Sequence, residues 1–140
     1  MSVIKLPVGL YRRLVAEATA VPLEGVCGLL AGSERDCSAV YPVVNISPTP
    51  ECSYYMDPRG QIDAMAAMRR SGETMIGIYH SHPTTPAVPS ARDLAEAAYP
   101  GLAYLIISLR YAARPEVAAF AFERGGFEPI RLALESGDPR

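Results

Sequence analysis

Thr74-Met75-Ile76-Gly77-Ile78-Tyr79-His80-Ser81-His82-Pro83 reads as a buried strand that runs into a histidine pair and stops at a proline. The β-rich, apolar 74–80 stretch is bounded by Ser71-Gly72 before it and Pro83 after it. Side chains two apart on a strand share a face, so His80 and His82 point the same way at the strand end. They are the only two histidines among 140 residues. Neutral imidazole is the commonest protein metal ligand, so a paired supply at one rigid end suggests a metal centre. An isolated H-x-H is also compatible with two ordinary strand-end histidines.

Working outward, Pro83, Pro86 and Pro89 make the next segment a stiff loop. Ser90-Ala91-Arg92-Asp93 then has the form of a capping box, predicting a short helix over 90–98. A helix held at its first turn presents Asp93 at a fixed point, which the proline loop can fold back toward the histidines. The Ser90 oxygen can cap through a lone pair while its hydroxyl proton stays free to donate.

Upstream, Leu6, Leu10, Leu14 and Ala18 predict a helix over 6–20, ended by Val21-Pro22. Residues 26–31 and 38–44 predict a strand hairpin across a polar turn. Residues 45–53 are loop, Tyr54-Tyr55-Met56 is a short extended piece, and 61–70 is helical. Downstream, 102–109, 116–122 and 127–134 are strands, the last two joined across Arg124-Gly125-Gly126. The order α-β-β-α-β-α-β-β-β predicts an α/β chain with one mixed sheet flanked by helices. Residues 1–134 are expected to form one domain, with 135–140 a frayed polar tail.

Composition narrows the function classes. Net charge is −2, the hydrophobic fraction 49% and the charged fraction 20%. That describes a globular chain without the clustered basic face that nucleic acid requires, and with no attraction to an anionic membrane. Pro7, Arg12, Arg13 and Glu17 interrupt any signal-peptide core, so a cytoplasmic location is expected. Cys27, Cys37 and Cys52 are an odd number without a C-x-x-C pair and are expected to be free thiols. Cys27 sits inside an apolar run, where a thiol is an inert small hydrophobe rather than a nucleophile.

The pattern His80-x-His82, Ser90, Asp93, with Glu24-Gly25-Val26-Cys27-Gly28-Leu29-Leu30 upstream, resembles the JAMM (MPN+) metalloproteases, most of all their small stand-alone prokaryotic members. Tyr54-Tyr55-Met56-Asp57-Pro58 and Pro115-Glu116-Val117 extend the resemblance over nearly the whole chain. It implies a single MPN/JAMM domain with a cytidine-deaminase-like core. It implies that His80, His82 and Asp93 bind one Zn2+ and leave a fourth position for water, as in catalytic zinc sites. Glu24 would be the general base; nothing but the resemblance selects it from the other acids. Ser90 would donate to the oxyanion. The implied substrate is an amide or isopeptide at the C-terminal glycine of a ubiquitin-like or sulfur-carrier protein. An extended tail would lie along a sheet edge, walled by Tyr54, Tyr55, Met56, Thr84 and Thr85. The alternative is a module that binds such a partner around an incidental metal without cutting it. Oligomeric state is left open.

Overall fold

The computed structural model describes residues 2–97 and 99–136. In chain order its elements are β1 (Val3–Pro7), α1 (Val8–Ala20), β2 (Cys27–Ser33), β3 (Asp36–Val43), α2 (Pro58–Arg70), β4 (Thr74–His82), α3 (Ala91–Glu96), β5 (Ala103–Ser108), β6 (Glu116–Glu123) and β7 (Gly126–Glu135). The mixed α/β class and every expected element are present. β1 is an addition, and it takes residues 6 and 7 from the expected start of the first helix. β7 takes Glu135 from the expected tail. Gly137–Arg140, and Ala98 at the expected end of the third helix, lie outside the described residues.

The seven strands close in the order β1-β3-β2-β4-β5-β6-β7. Closure is the work of β1, which runs parallel to β7 from Val3–Arg131 to Pro7–Glu135 and meets β3 at Lys5–Asp36. The expected mixed sheet flanked by helices is thus present, and β1 closes it. β4 lies between β2, antiparallel through Cys27–His80, and β5, parallel through His82–Ser108. With both neighbours in place it has no free edge, so an added substrate strand along the histidine-bearing strand is excluded.

Each face of the sheet has its own helix. Leu10, Leu14 and Ala18 of α1 pack with Leu30, Tyr79 and Leu105 on one face. Ala64 and Met68 of α2 pack with Cys27, Leu29, Ile78 and Tyr104 on the other. Because both faces are covered, β4 and β5 are nearly continuous apolar runs. The β2–β4 register steps from Leu30–Gly77 to Ala31–Met75, leaving Ile76 as a bulge residue. Ile76 accordingly joins the α1-side core while Ile78 joins the α2 side. Gly28 lies under Tyr79; a Cβ there would stand 2.5 Å from the tyrosine ring and hydroxyl. That close approach lets Tyr79 donate to Glu17 Oε1 at 2.6 Å.

Candidate metal centre

The last turn of pleat in β4 sends Tyr79 and Ser81 to one face and His80 and His82 to the other. Ser81 locks the strand end: its Oγ accepts Val26 N–H at 2.8 Å and its own N–H donates to Val26 O at 2.9 Å. Pro83 ends the strand, and the following loop is tied to β5 where Ser108 Oγ donates to Thr85 O at 2.6 Å. Ser90 then caps α3 as expected. Its Oγ accepts Asp93 N–H at 3.0 Å, and Asp93 Oδ2 accepts Ser90 N–H at 2.8 Å, a complete capping box.

These supports bring three acceptors to one point. His80 Nε2 lies 3.1 Å from His82 Nε2 and 3.3 Å from Asp93 Oδ1, and His82 Nε2 lies 3.2 Å from Asp93 Oδ2. His82 Nδ1 is 2.9 Å from Pro86 O. A carbonyl only accepts, so that nitrogen carries the proton, and neutral His82 turns a bare Nε2 lone pair inward. When both Nε2 atoms are unprotonated, two imidazole lone pairs and a carboxylate at such range repel unless a cation lies between them. A tetrahedral zinc with bonds of about 2.0–2.1 Å holds its ligand atoms about 3.3 Å apart, close to the separations here. The donor set of two nitrogens and one carboxylate oxygen suits zinc.

The electrostatics follow from burial and pairing. Burial holds the His80 imidazole below its ordinary pKa, against the pull of Asp93. Burial opposes protonation of His82 as well, but hydrogen bonding to Asp93 and Pro86 raises it overall. Asp93 resists its own partial burial because both histidines hold its carboxyl well below the usual carboxylate range. Tyr54 stacks on His80 with ring centroids 4.5 Å apart and fixes the ring plane. Asn45 anchors the segment carrying Tyr54. Its amide donates to Gly25 O at 2.9 Å and Ser53 O at 3.2 Å, while Oδ1 accepts from Ser47 and Tyr55 N–H.

The remaining expected residues are divided between cavities. Tyr54, Thr84, Thr85 and Ser90 line the cavity of the histidines and Asp93. Tyr54 also borders a second, largely apolar cavity with Tyr55 and Met56. Tyr55 is exposed, whereas Met56 is 7% exposed and packed into the α2-side core, so Met56 supports that wall from beneath. Glu24 is exposed and lines a different cavity, beside Gly25 and Asn45. The glutamate that does line the histidine cavity is Glu51, which sequence reading passed over because a loop acid carries no periodic signal. Cys27 is fully buried, and burial together with Glu17 pushes its thiol up to about 12, so it is no nucleophile.

With this geometry in view, a family model for prokaryotic homologs of the JAB domain matches residues 7–123. The chain belongs to this family. It is 40% identical over 122 residues to the desampylase of Haloferax volcanii, covering 84% of each chain. It is 31% identical over 127 residues to the CysO-cysteine peptidase of Mycobacterium tuberculosis, covering 88% of this chain and 86% of that one. A solved structure from Desulfitobacterium hafniense superposes with a TM-score of 0.87 at 37% identity, covering 96% of this chain and 94% of the other. A likeness of fold alone, at 16% identity and TM-score 0.58, extends to a structure described as a metalloprotease-like JAMM zinc site in the proteasome and signalosome, covering 94% and 99%. The JAB domain of this chain thus carries its His-His-Asp group at the end of β4.

Proposed function

We propose that this JAB-domain chain is a zinc-dependent hydrolase cleaving the amide or isopeptide bond at the C-terminal glycine of a ubiquitin-like or sulfur-carrier protein. The observation that carries the reading is the convergence of two Nε2 atoms and the Asp93 carboxylate within 3.1–3.3 Å. The names of the Haloferax and Mycobacterium relatives, which act as a desampylase and a CysO-cysteine peptidase, support the substrate class.

In this reading His80, His82 and Asp93 would hold Zn2+, which would supply the Lewis acidity that lowers the pKa of water from about 15.7 toward about 7. Pro86 and Tyr54 keep the two rings in the tautomer and plane that ligation needs. Ser90 donates its free hydroxyl proton to the developing oxyanion. Glu24 accepts the proton of the attacking water and returns it to the leaving amine. Support for Glu24 is its place two residues before Val26, which is bonded to Ser81 between the histidines. The catalytic unit runs through the end of β7 at Glu135. The free thiols Cys27, Cys37 and Cys52 suit a reducing, cytoplasmic setting. Among the described residues no helix is long and apolar enough to cross a membrane.

One observation favours the non-cleaving alternative: Glu24 does not line the histidine cavity. The test is Glu24→Gln, with zinc content measured beside cleavage of a ubiquitin-like conjugate. Full zinc with cleavage reduced at least about a thousandfold supports the assignment. A variant that keeps most activity removes Glu24 from the role. A zinc-loaded wild type that leaves every conjugate intact establishes the binding module instead.

A further inference from the structure

Conjugates of a C-terminal glycine come in two chemistries. In one, the scissile nitrogen is the α-amine of a free amino acid, with a carboxylate one carbon away. In the other it is the Nε of a lysine side chain within a protein, carried on a neutral methylene chain. A site built for the first kind needs a cation to receive that carboxylate. Among the described residues, neither Lys nor Arg lines the histidine cavity or the adjoining cavity that shares Tyr54. Each holds a glutamate instead, Glu51 in the first and Glu96 in the second.

Glu51 is the more informative of the two. It is exposed on the loop between β3 and α2, in the same cavity as His80, His82, Asp93 and Ser90. Its carboxylate has no hydrogen-bond or ion-pair partner among the described residues. No described residue uses that charge, so it is available to whatever enters. Asp93, by contrast, is held by both histidines and by the Ser90 N–H.

Resting on the hydrolytic reading above, we propose that Glu51 is a specificity-determining residue that selects lysine isopeptide conjugates and rejects adducts whose leaving amine bears a free carboxylate. In the favoured reaction the bond between the glycine carbonyl carbon and Nε breaks. Water supplies the oxygen that completes the glycine carboxylate and both of the protons that Nε takes up. The leaving group departs as an ammonium, which the Glu51 carboxylate favours. An amino-acid leaving group brings its own carboxylate against Glu51, with no Lys or Arg among the described lining residues to offset it.

The test compares three conjugates of one ubiquitin-like protein ending in Gly-Gly: to a lysine Nε in a peptide, to cysteine, and to cysteinamide. The zinc-loaded wild type is expected to cleave the isopeptide and the cysteinamide adduct about tenfold better, in kcat/KM, than the cysteine adduct. Glu51→Lys should reverse the cysteine-to-cysteinamide preference, and Glu51→Gln should bring it to about one. Circular dichroism and zinc content report folding and loading independently. Equal cleavage of cysteine and cysteinamide adducts by the wild type overturns the proposal. So does a preference unchanged by Glu51→Lys, or equal loss of all three reactions in Glu51→Gln, which would make Glu51 part of the chemistry. If the zinc-loaded wild type cleaves none of the three, the hydrolytic reading itself fails and takes this selection with it.

Discussion

Ser90 is asked to do two jobs, and the structure allows them to be separated. Its Oγ accepts the Asp93 N–H at 3.0 Å, which caps α3 and fixes a metal-facing carboxylate. Its hydroxyl proton takes no part in that bond, and Ser90 lines the histidine cavity. Replacing an N-cap serine by alanine costs about 1 kcal/mol, whereas glycine at an N-cap costs only a few tenths of a kcal/mol. Loss of one oxyanion donor costs about 2.7–4 kcal/mol of transition-state stabilisation, or about 100–1000-fold in kcat. Ser90→Gly therefore removes the donor while nearly sparing the cap, and the Asp93 carboxylate keeps its bond to the residue-90 N–H. The expected result is full zinc content, a Tm within about 2 °C of wild type and kcat lower by about 100–1000-fold. Ser90→Ala should add a fall in stability of about 1 kcal/mol and weaker zinc binding. The assay is cleavage of a ubiquitin-like conjugate at saturating zinc, with metal content and thermal unfolding on the same samples. A glycine variant that turns over within about threefold of wild type would refute the donor role and leave Ser90 as a cap alone.

Two further predictions concern the scaffold around the site. Asn45→Ala deletes a side chain that makes four hydrogen bonds across the Gly25 turn and the 45–55 loop. It should lower stability by about 2–3 kcal/mol and weaken zinc binding as Tyr54 leaves His80, measured by urea unfolding and metal titration; a loss under about 0.5 kcal/mol would refute it. Glu17→Gln tests the sign of a buried acid. Burial raises the Glu17 carboxyl above its ordinary value of 4.5, against the Tyr79 hydrogen bond and Arg13. An acid whose pKa is raised by folding is tolerated while protonated and destabilises the fold once pH rises through the shifted value. The variant should therefore gain on wild type as pH rises above the ordinary value of 4.5, by urea midpoints, and a gap that is flat or narrows would contradict it.

What was legible in the sequence was what lies close along the chain. His80 and His82 are joined by strand period, and Asp93 is placed by a capping box whose two bonds span three residues. The closure of the sheet is non-local. Ile4 and Leu6 alternate with Lys5 as a strand should, yet Leu6 also continues the helical stripe of Leu10 and Leu14. Only pairing with β7, more than a hundred residues on, decides between the two periods. The bulge at Ile76 is hidden for a similar reason, since a strand covered on both faces stays apolar whichever way each residue turns.

The acids show the same division, with a consequence for function. Metal ligation needs groups fixed to about an ångström, so its residues sit on a strand end and a capped helix, both of which leave a local pattern. The charge that greets a substrate is set by a loop. Glu51 reaches the cavity because Asn45 folds 45–55 back across Gly25, and none of those contacts has a period. Glu24, equally acidic and close in sequence to β2, faces the neighbouring cavity. Within one JAB-domain scaffold, then, the metal ligands are carried by regular elements and the choice of leaving group by the loop beside them. Relatives that share the histidine–aspartate group can be sorted by the charge their own loop presents at the position of Glu51. A swap of residues 49–53 between two of them should transfer that preference while leaving metal binding in place.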